Sequence, residues 1–192
     1  KVLAIIANDM CVEELSEGEC SIVFDRTVFY GEGGGQVGDT GMIEGDGATL
    51  LVDDTKKTDG IYVHICTLER GAVHVGDELT LSVNAARRDA IRRNHSACHL
   101  LQAALREVLG SHVEQAGSYV DESVCRFDFT HFAALTQDEI QKVENLVNYN
   151  VDSQEYVDQI LNIQAMLEAQ LKKEMEGLGD NSSTELAPPV TE

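Results

Sequence analysis

The stretch RRDAIRRNHSACHLLQAALREVLG, residues 87–110, decides the fold of this chain. Its apolar residues, among them Ile91, Cys98 and Leu101, recur at steps of three and four, which is the spacing of one buried face on an amphipathic helix. Gly110 follows the last apolar residues, in the position where a helix commonly ends. The pattern therefore predicts one long helix with a single buried face.

Two histidines of this helix suggest a metal site. His95 and His99 are four residues apart, so both imidazoles project from the same side of the helix, one turn apart. A helix offers two nitrogens to one Zn²⁺ in this way, but a zinc site needs further ligands. The alternative is that both histidines share a face by chance, one packed and one in solvent.

Composition limits the possible classes of protein. The chain has 192 residues and a formal net charge of -20, which argues against a nonspecific nucleic-acid binder because such surfaces are basic. Its five cysteines are scattered and include no C-x-x-C, which is typical of reduced thiols in a cytoplasmic protein. The apolar opening, residues 1–9, is too short to cross a membrane and lacks a signal-cleavage pattern. No Met opens the sequence, so we interpret it as an excerpt of a longer protein.

The first part of the chain predicts β structure. Short segments rich in β-branched residues are separated by Gly and Asp turns, which at this spacing favours a small barrel. The predicted strands are residues 2–7, 20–24, 42–43, 48–52, 61–65 and 78–83.

A glycine-rich loop, FDRTVFYGEGGGQVGDTG, interrupts these strands at residues 24–41. Three consecutive glycines cost order in any regular element, so they indicate a close approach of the backbone to another group. A flexible hairpin loop is the alternative. The pattern is neither a dinucleotide-binding fingerprint nor a P-loop.

A cluster of arginines opens the long helix. Arg88 and Arg92 lie on one face, where they could contact phosphate groups. The alternative is a solvated helix surface with an ion pair to Asp89.

Two strands and further helices are predicted beyond the long helix. Residues 112–121 and 123–132 predict a hairpin, in which Gln115 faces either solvent or the histidines. Residues 136–150 predict a helix that a capping box opens, and residues 152–176 predict a third helix.

Three motifs in this order carry a resemblance to a known family: DRTVFYGEGGGQVGDTG, NHSACHLLQAALREVLG and HVEQAGSYVDESVCRFDFTHF. Together they resemble the editing region of bacterial alanyl-tRNA synthetases over about residues 1–150. Free-standing alanyl-tRNA editing proteins and the editing domain of threonyl-tRNA synthetases are more distant relatives.

The resemblance implies an α+β protein with four parts. These are a small β-barrel with the glycine-rich loop at residues 1–86, a partial editing domain at 87–151, a helix of unknown role at 152–178 and a disordered tail at 179–192.

The implied activity is hydrolysis of the ester that joins a wrong amino acid, serine or glycine, to tRNA(Ala). A binding pocket rejects an added hydroxyl only about 100-fold, so a second, hydrolytic site is needed. The implied partners are the acceptor end of tRNA(Ala) and the remaining domains of the synthetase, without a membrane, and ATP binding is implied for the full-length protein only. The alternatives are an impaired module that binds the acceptor end and an independent trans-editing protein.

The implied catalytic residues are Thr27, Gln36 and Gln115. Thr27 would contact the serine hydroxyl, and Gln115 would lie in the editing pocket. The loop that would lie against the aminoacylated tRNA end contains Gly33, Gly34 and Gly35.

The resemblance also implies a Zn²⁺ site with His95 and His99 as its first two ligands. The family completes this site with a later C-x-x-x-H pair, but this chain has neither Cys nor His after His131. Cys125 and His131 are possible substitutes, whereas Cys98 points around the helix. We therefore expect an incomplete, weakly binding zinc site.

Overall fold

The computed structural model describes residues 1–45 and 47–152. The chain divides into two compact units, Lys1–Val143 and Glu144–Glu192. The predicted helix at 152–178 lies outside the described residues apart from its first residue, and the predicted tail at 179–192 lies wholly outside them.

Eleven strands and two helices make up the described part of the chain. In order these are β1 (Val2–Ala7), β2 (Met10–Val12), β3 (Glu14–Leu15), β4 (Gly18–Phe24), β5 (Gly41–Gly45), β6 (Ala48–Thr58), β7 (Ile61–Arg70), β8 (Val73–His74), β9 (Thr80–Val83), α1 (Ala85–Leu109), β10 (Gln115–Val120), β11 (Cys125–Phe129) and α2 (Gln137–Asp152). The predicted α+β class is confirmed.

Seven of the strands form one antiparallel sheet in the order β2-β1-β4-β7-β6-β5-β9. The long β6–β7 hairpin turns through Asp59 and Gly60, whose φ values of 51° and 81° suit the tight turn that the Asp-Gly pair predicts. The sheet pairings among the described strands end at β2 and β9, so closure into a barrel stays a prediction.

One face of this sheet buries the larger core. The alternating pattern of buried and exposed residues along β4 and β6 places one apolar face inward. Ile5, Ile22, Ile43 and Leu50 are fully buried there. Burial of this face fixes the register of the strands, since a slip of one residue would expose it.

Helix α1 begins at the N-cap Asn84, whose side chain accepts the N–H of Arg87 at 3.1 Å, and Gly110 follows it as the C-cap. The predicted helix is therefore confirmed. Its buried face includes Leu100, which the sequence pattern did not single out, whereas Leu101 is only half-buried. The buried face is thus wider than one narrow line of residues.

Helix α1 packs on the β10–β11 hairpin, and this layer forms a second core. Ile91 and Cys98 of the helix meet Val120 of β10, and Val37 of the glycine-rich loop packs against the same cluster. The loop, the helix and the hairpin therefore share one apolar junction.

The capping box of α2 is also confirmed. The backbone N–H of Thr136 donates to Glu139 Oε2 at 2.8 Å, and the N–H of Glu139 donates back to Thr136 Oγ1 at 3.3 Å. No helix in the described ranges is both long and apolar enough to traverse a lipid bilayer.

Candidate functional site

The glycine-rich loop closes on itself in a tight turn. The N–H groups of Gly33 and Gln36 each donate to the carbonyl of the other residue, at 3.1 and 3.0 Å. The two central residues, Gly34 and Gly35, have φ values of 59° and 81°. Both values lie in the left-handed region, which glycine adopts at little cost, so this turn needs the glycines that the sequence provides.

The turn docks on the end of strand β10. Val120 donates its N–H to the Gly35 carbonyl at 2.8 Å, and Val37 donates to the Val120 carbonyl at 3.1 Å. A Cβ atom on Gly35 would come within 2.4 Å of the Ser118 carbonyl oxygen. The close approach that the glycine run indicated is therefore to the backbone of this protein's own hairpin.

The docked loop brings Gln36 to helix α1. The Gln36 amide oxygen lies 2.7 Å from Nδ1 of His95. Since an amide oxygen only accepts hydrogen bonds, Nδ1 carries the proton and Nε2 keeps its lone pair. This lone pair can bind a cation or accept a proton.

The two histidines of α1 have different surroundings. Their ring centroids are 5.1 Å apart, with His95 half-buried and His99 exposed. Burial, and to a lesser degree the neighbouring His99, lower the pKa of His95, so its imidazole is neutral near pH 7.

A buried ion pair fastens the other end of the loop to the helix. The Asp39 residue is only 3% exposed, and its carboxylate accepts hydrogen bonds from the Tyr30 N–H at 2.6 Å and from Nε of Arg88 at 3.0 Å. Arg88 also donates to the Val28 carbonyl at 2.6 Å, and Arg87 donates to the Gly38 carbonyl at 2.8 Å. The Arg88 guanidinium therefore fixes the loop, while its predicted phosphate contact stays a prediction.

Arg92 keeps an exposed position. Its guanidinium lies 3.7 Å from the carboxylate of Asp89, one helical turn away, and the Arg92 side chain is 47% exposed. This is the ion pair that the alternative interpretation of the arginine cluster describes, and a phosphate contact by Arg92 stays a prediction.

Thr27 forms a hydrogen bond with His64 of strand β7 in the large sheet. Its hydroxyl lies 2.7 Å from Nε2 of the fully buried His64, whose Nδ1 donates to the Ile22 carbonyl at 3.1 Å. Nε2 of the neutral ring must then accept the Thr27 proton. Thr27 Oγ1 also accepts the Phe29 N–H at 3.0 Å. Burial lowers the pKa of His64 and keeps this ring neutral.

Thr27 also lines a cavity of about 480 Å³. The cavity lies between the segment after β4 and the segment that enters β9, and its other lining residues are Lys1, Asp25, Arg26, Val28, Glu78, Leu79, Thr80 and Leu81. The contacts described for Thr27 are therefore with His64, Phe29 and this cavity, whereas Gln36 contacts His95.

Gln115 begins strand β10 and is exposed. It pairs with Phe129 of β11, whereas the glycine turn docks at Val120, the other end of the same strand. Five residues of extended chain span roughly 17 Å, which separates Gln115 from the docking point of the loop. Its role in an editing pocket stays a prediction.

The described residues do not make a complete zinc site. Within residues 1–45 and 47–152, no three His, Cys, Asp or Glu side chains are placed to hold one metal ion. His95 and His99 alone fall short of the three protein ligands of a catalytic zinc site and the four of a structural one. Zinc binding therefore stays a prediction.

Burial makes the Cys98 thiol of helix α1 a poor nucleophile. Desolvation, together with a contact to Cys125, raises the pKa of Cys98 to about 12. A thiol of this kind stays protonated near neutral pH and cannot attack an ester. A covalent intermediate on Cys98 is thus disfavoured.

Sequence reasoning missed the residues that position the site. Asp39 and His64 form their key bonds with partners 49 and 37 residues away. A lone Asp within a glycine-rich motif is the only sequence signal for the first, and no pattern marks the second.

Comparison with known proteins gives a consistent family signal. Residues 1–87 match the family model described as tRNA synthetases class II (A). The chain is 51% identical over 153 residues to an alanine–tRNA ligase of Acetivibrio thermocellus and 47% identical over 153 residues to one of Alkaliphilus oremlandii. It is 49% identical over 149 residues to one of Rhodopseudomonas palustris. These alignments cover 77–79% of this chain but only 17% of each relative.

Proposed function

Because this chain belongs to the alanyl-tRNA synthetase family, we propose that its described part is the editing region of such an enzyme. It hydrolyses the ester between tRNA(Ala) and a wrongly attached serine or glycine. The partner at the site is the aminoacylated acceptor end of that tRNA.

One observation carries the proposal: the 2.7 Å contact between Gln36 and His95. The glycine-rich loop and the histidine helix are 59 residues apart in sequence, and each is ambiguous alone. Their contact makes one surface that combines exposed loop backbone with a neutral imidazole. Such a surface is suited to a polar substrate terminus and to proton transfer.

The reaction needs a water molecule and a base. Water attacks the carbonyl carbon of the ester, the bond from that carbon to the ribose oxygen breaks, and the proton that the water loses ends on the ribose oxygen. His95 Nε2 carries the lone pair that can accept this proton, and Gln36 holds the ring by its other nitrogen. The family resemblance assigns the recognition of the amino-acid side chain to Thr27 and Gln115. The described contacts of these two residues are with His64, Phe29 and Phe129, so neither has a part in the step at His95.

The test is deacylation of Ser-tRNA(Ala), with correctly charged Ala-tRNA(Ala) as the substrate control. We expect the chain to release serine faster than alanine, and we expect Gln36→Leu and His95→Ala to remove most of that rate. The matched control is His74→Ala, an exposed histidine on the short strand β8. A rate unchanged by both site variants would refute the proposal, and binding without turnover would indicate a module that only docks the acceptor end.

A further inference from the structure

Three rings cluster at the surface, just beyond the ends of α1 and β11. His112 follows the helix, and His131 and Phe132 follow the strand. The His112 centroid lies 5.2 Å from that of His131 and 4.6 Å from that of Phe132. We call these three residues the ring cluster. None of them takes part in the proposed hydrolysis.

The two imidazoles of the ring cluster meet edge to edge. His112 Nε2 and His131 Nδ1 are 2.9 Å apart, and their ring planes differ by only 22°. The distance between the two nitrogens is shorter than the distance between the ring centroids by about the width of one ring. The nitrogens therefore face each other along the line that joins the two rings, and one ring donates a hydrogen bond to the other almost within a common plane. The pair therefore forms a flat, hydrogen-bonded platform.

The backbone holds this platform in place. The Gly110 position has no side chain, and a Cβ there would lie only 3.2 Å from His112 Nδ1. The Thr130 hydroxyl donates to the His112 carbonyl at 3.2 Å and accepts the Glu114 N–H at the same distance. These contacts tie the start of the hairpin to its end, so the backbone that carries His112 is fixed next to the strand that leads to His131.

Phe132 covers the platform and leaves its own outer side open. Its ring lies over His112 with an angle of 25° between the planes, yet the residue is 87% exposed. No other large hydrophobic residue in the described ranges has so high an exposed fraction. An aromatic ring that is held from beneath and open above is a stacking surface.

We propose that the outer face of Phe132 stacks an unpaired nucleobase. The inference rests on the proposed function in one respect, namely that the occupant is a base from the single-stranded end of a tRNA. Base–aromatic stacking tolerates any base, because every base has a π-face. A net charge of -20 weakens the attraction of the chain to phosphates, so a contact through the face of a base is the kind of RNA contact that this charge opposes least.

The chain has no tryptophan, which provides a direct test. The variant Phe132→Trp places a single indole at the stacking position, and its fluorescence is titrated with a single-stranded RNA tetramer of adenosine. The control ligand is an abasic tetramer with the same phosphates. The control protein is Ile61→Trp, which places the indole at a 52% exposed position on β7.

We expect saturable quenching of Phe132→Trp by the adenosine tetramer, little quenching by the abasic tetramer, and none of Ile61→Trp. In the otherwise unchanged chain, Phe132→Ala should weaken binding of the adenosine tetramer about 5- to 150-fold, as measured by fluorescence anisotropy of a labelled tetramer. Since Phe132 is largely exposed, this variant keeps the fold, which circular dichroism verifies.

Equal quenching by the abasic tetramer, or no quenching at position 132, overturns the proposal. If Ser-tRNA(Ala) is still hydrolysed in that case, the stacking site fails while the proposed function stands. If quenching occurs as expected but no ester is hydrolysed, the proposed function fails and the stacking site stands.

Discussion

The three consecutive glycines permit a graded test of how the loop docks. The structure gives each a different constraint. A Cβ on Gly33 would lie no closer than 3.7 Å to its neighbours, and one on Gly34 would meet nothing within 4 Å. A Cβ on Gly35 would lie 2.4 Å from the Ser118 carbonyl oxygen. Alanine at these positions therefore separates backbone strain from collision.

The expected losses in unfolding free energy follow from these contacts. Gly33→Ala has neither a positive φ nor a close contact, so we expect almost no loss. Gly34→Ala places a side chain at φ 59°, which costs about 1–2 kcal/mol. Gly35→Ala adds the displacement of the turn from β10 and the loss of two backbone hydrogen bonds, each worth about 0.5–1.5 kcal/mol, for a total of about 2–5 kcal/mol.

Urea denaturation of the three variants measures these losses, and Ser-tRNA(Ala) deacylation measures their effect on the site. Gly35→Ala should lose most of its deacylation rate, because the displaced turn carries Gln36 away from His95. Gly34→Ala is the matched control, with the same substitution and the same sign of φ but no collision. Equal stability of the Gly34 and Gly35 variants would refute the docking argument.

Three further predictions concern the Asp39–Arg88 ion pair, the buried His64 and zinc binding. Asp39→Ala leaves the Tyr30 N–H and the Arg88 guanidinium, whose side chain is 33% exposed, without their shared acceptor. It should lower the unfolding free energy in urea by about 1–3 kcal/mol, whereas no measurable loss would contradict the anchoring of the loop by this ion pair. The pKa of His64 is lowered in the folded protein, so the unfolded chain binds a proton at this histidine first as the pH falls. The stability of the fold should therefore decrease below about pH 6.5, by at most about 1.4 kcal/mol per pH unit for this one group. Thermal melts should show a smaller decrease for His64→Gln. Zinc should bind weakly in calorimetric titrations and not at all to a variant lacking His95 and His99, whereas one tightly held zinc per chain would contradict an incomplete site.

Local patterns in the sequence predicted the two described helices and the approximate positions of most strands, but they missed the short strands β2, β3 and β8 and about half the length of β6 and β7. Helix α1 could be read from its periodicity and from Gly110, and the start of α2 from Thr136 and Glu139. The β6–β7 hairpin could be read from its Asp-Gly turn. Each of these signals lies within a few residues of the structure it specifies, because helix caps and tight turns are built from neighbouring backbone groups.

Long-range pairs could not be predicted in this way. The sequence shows Asp39, Arg88, Thr27 and His64, but nothing in their spacing says which of them meet. A salt bridge or a hydroxyl–imidazole bond has no period, and its energy depends on burial that only the folded chain provides. For the same reason the strand order of the sheet did not follow from the list of predicted strands.

An amide at residue 36 affects the protonation of His95 differently from a carboxylate. A carboxylate beside His95 would favour the imidazolium, raise the pKa of that ring and use up its lone pair. The Gln36 amide accepts the Nδ1 proton without adding charge, while burial lowers the pKa of the same ring. Both effects favour a neutral His95 with its lone pair on Nε2. A ring in this state can take a proton from water or bind a cation, so the contact between loop and helix selects the form of the histidine that the proposed hydrolysis would need.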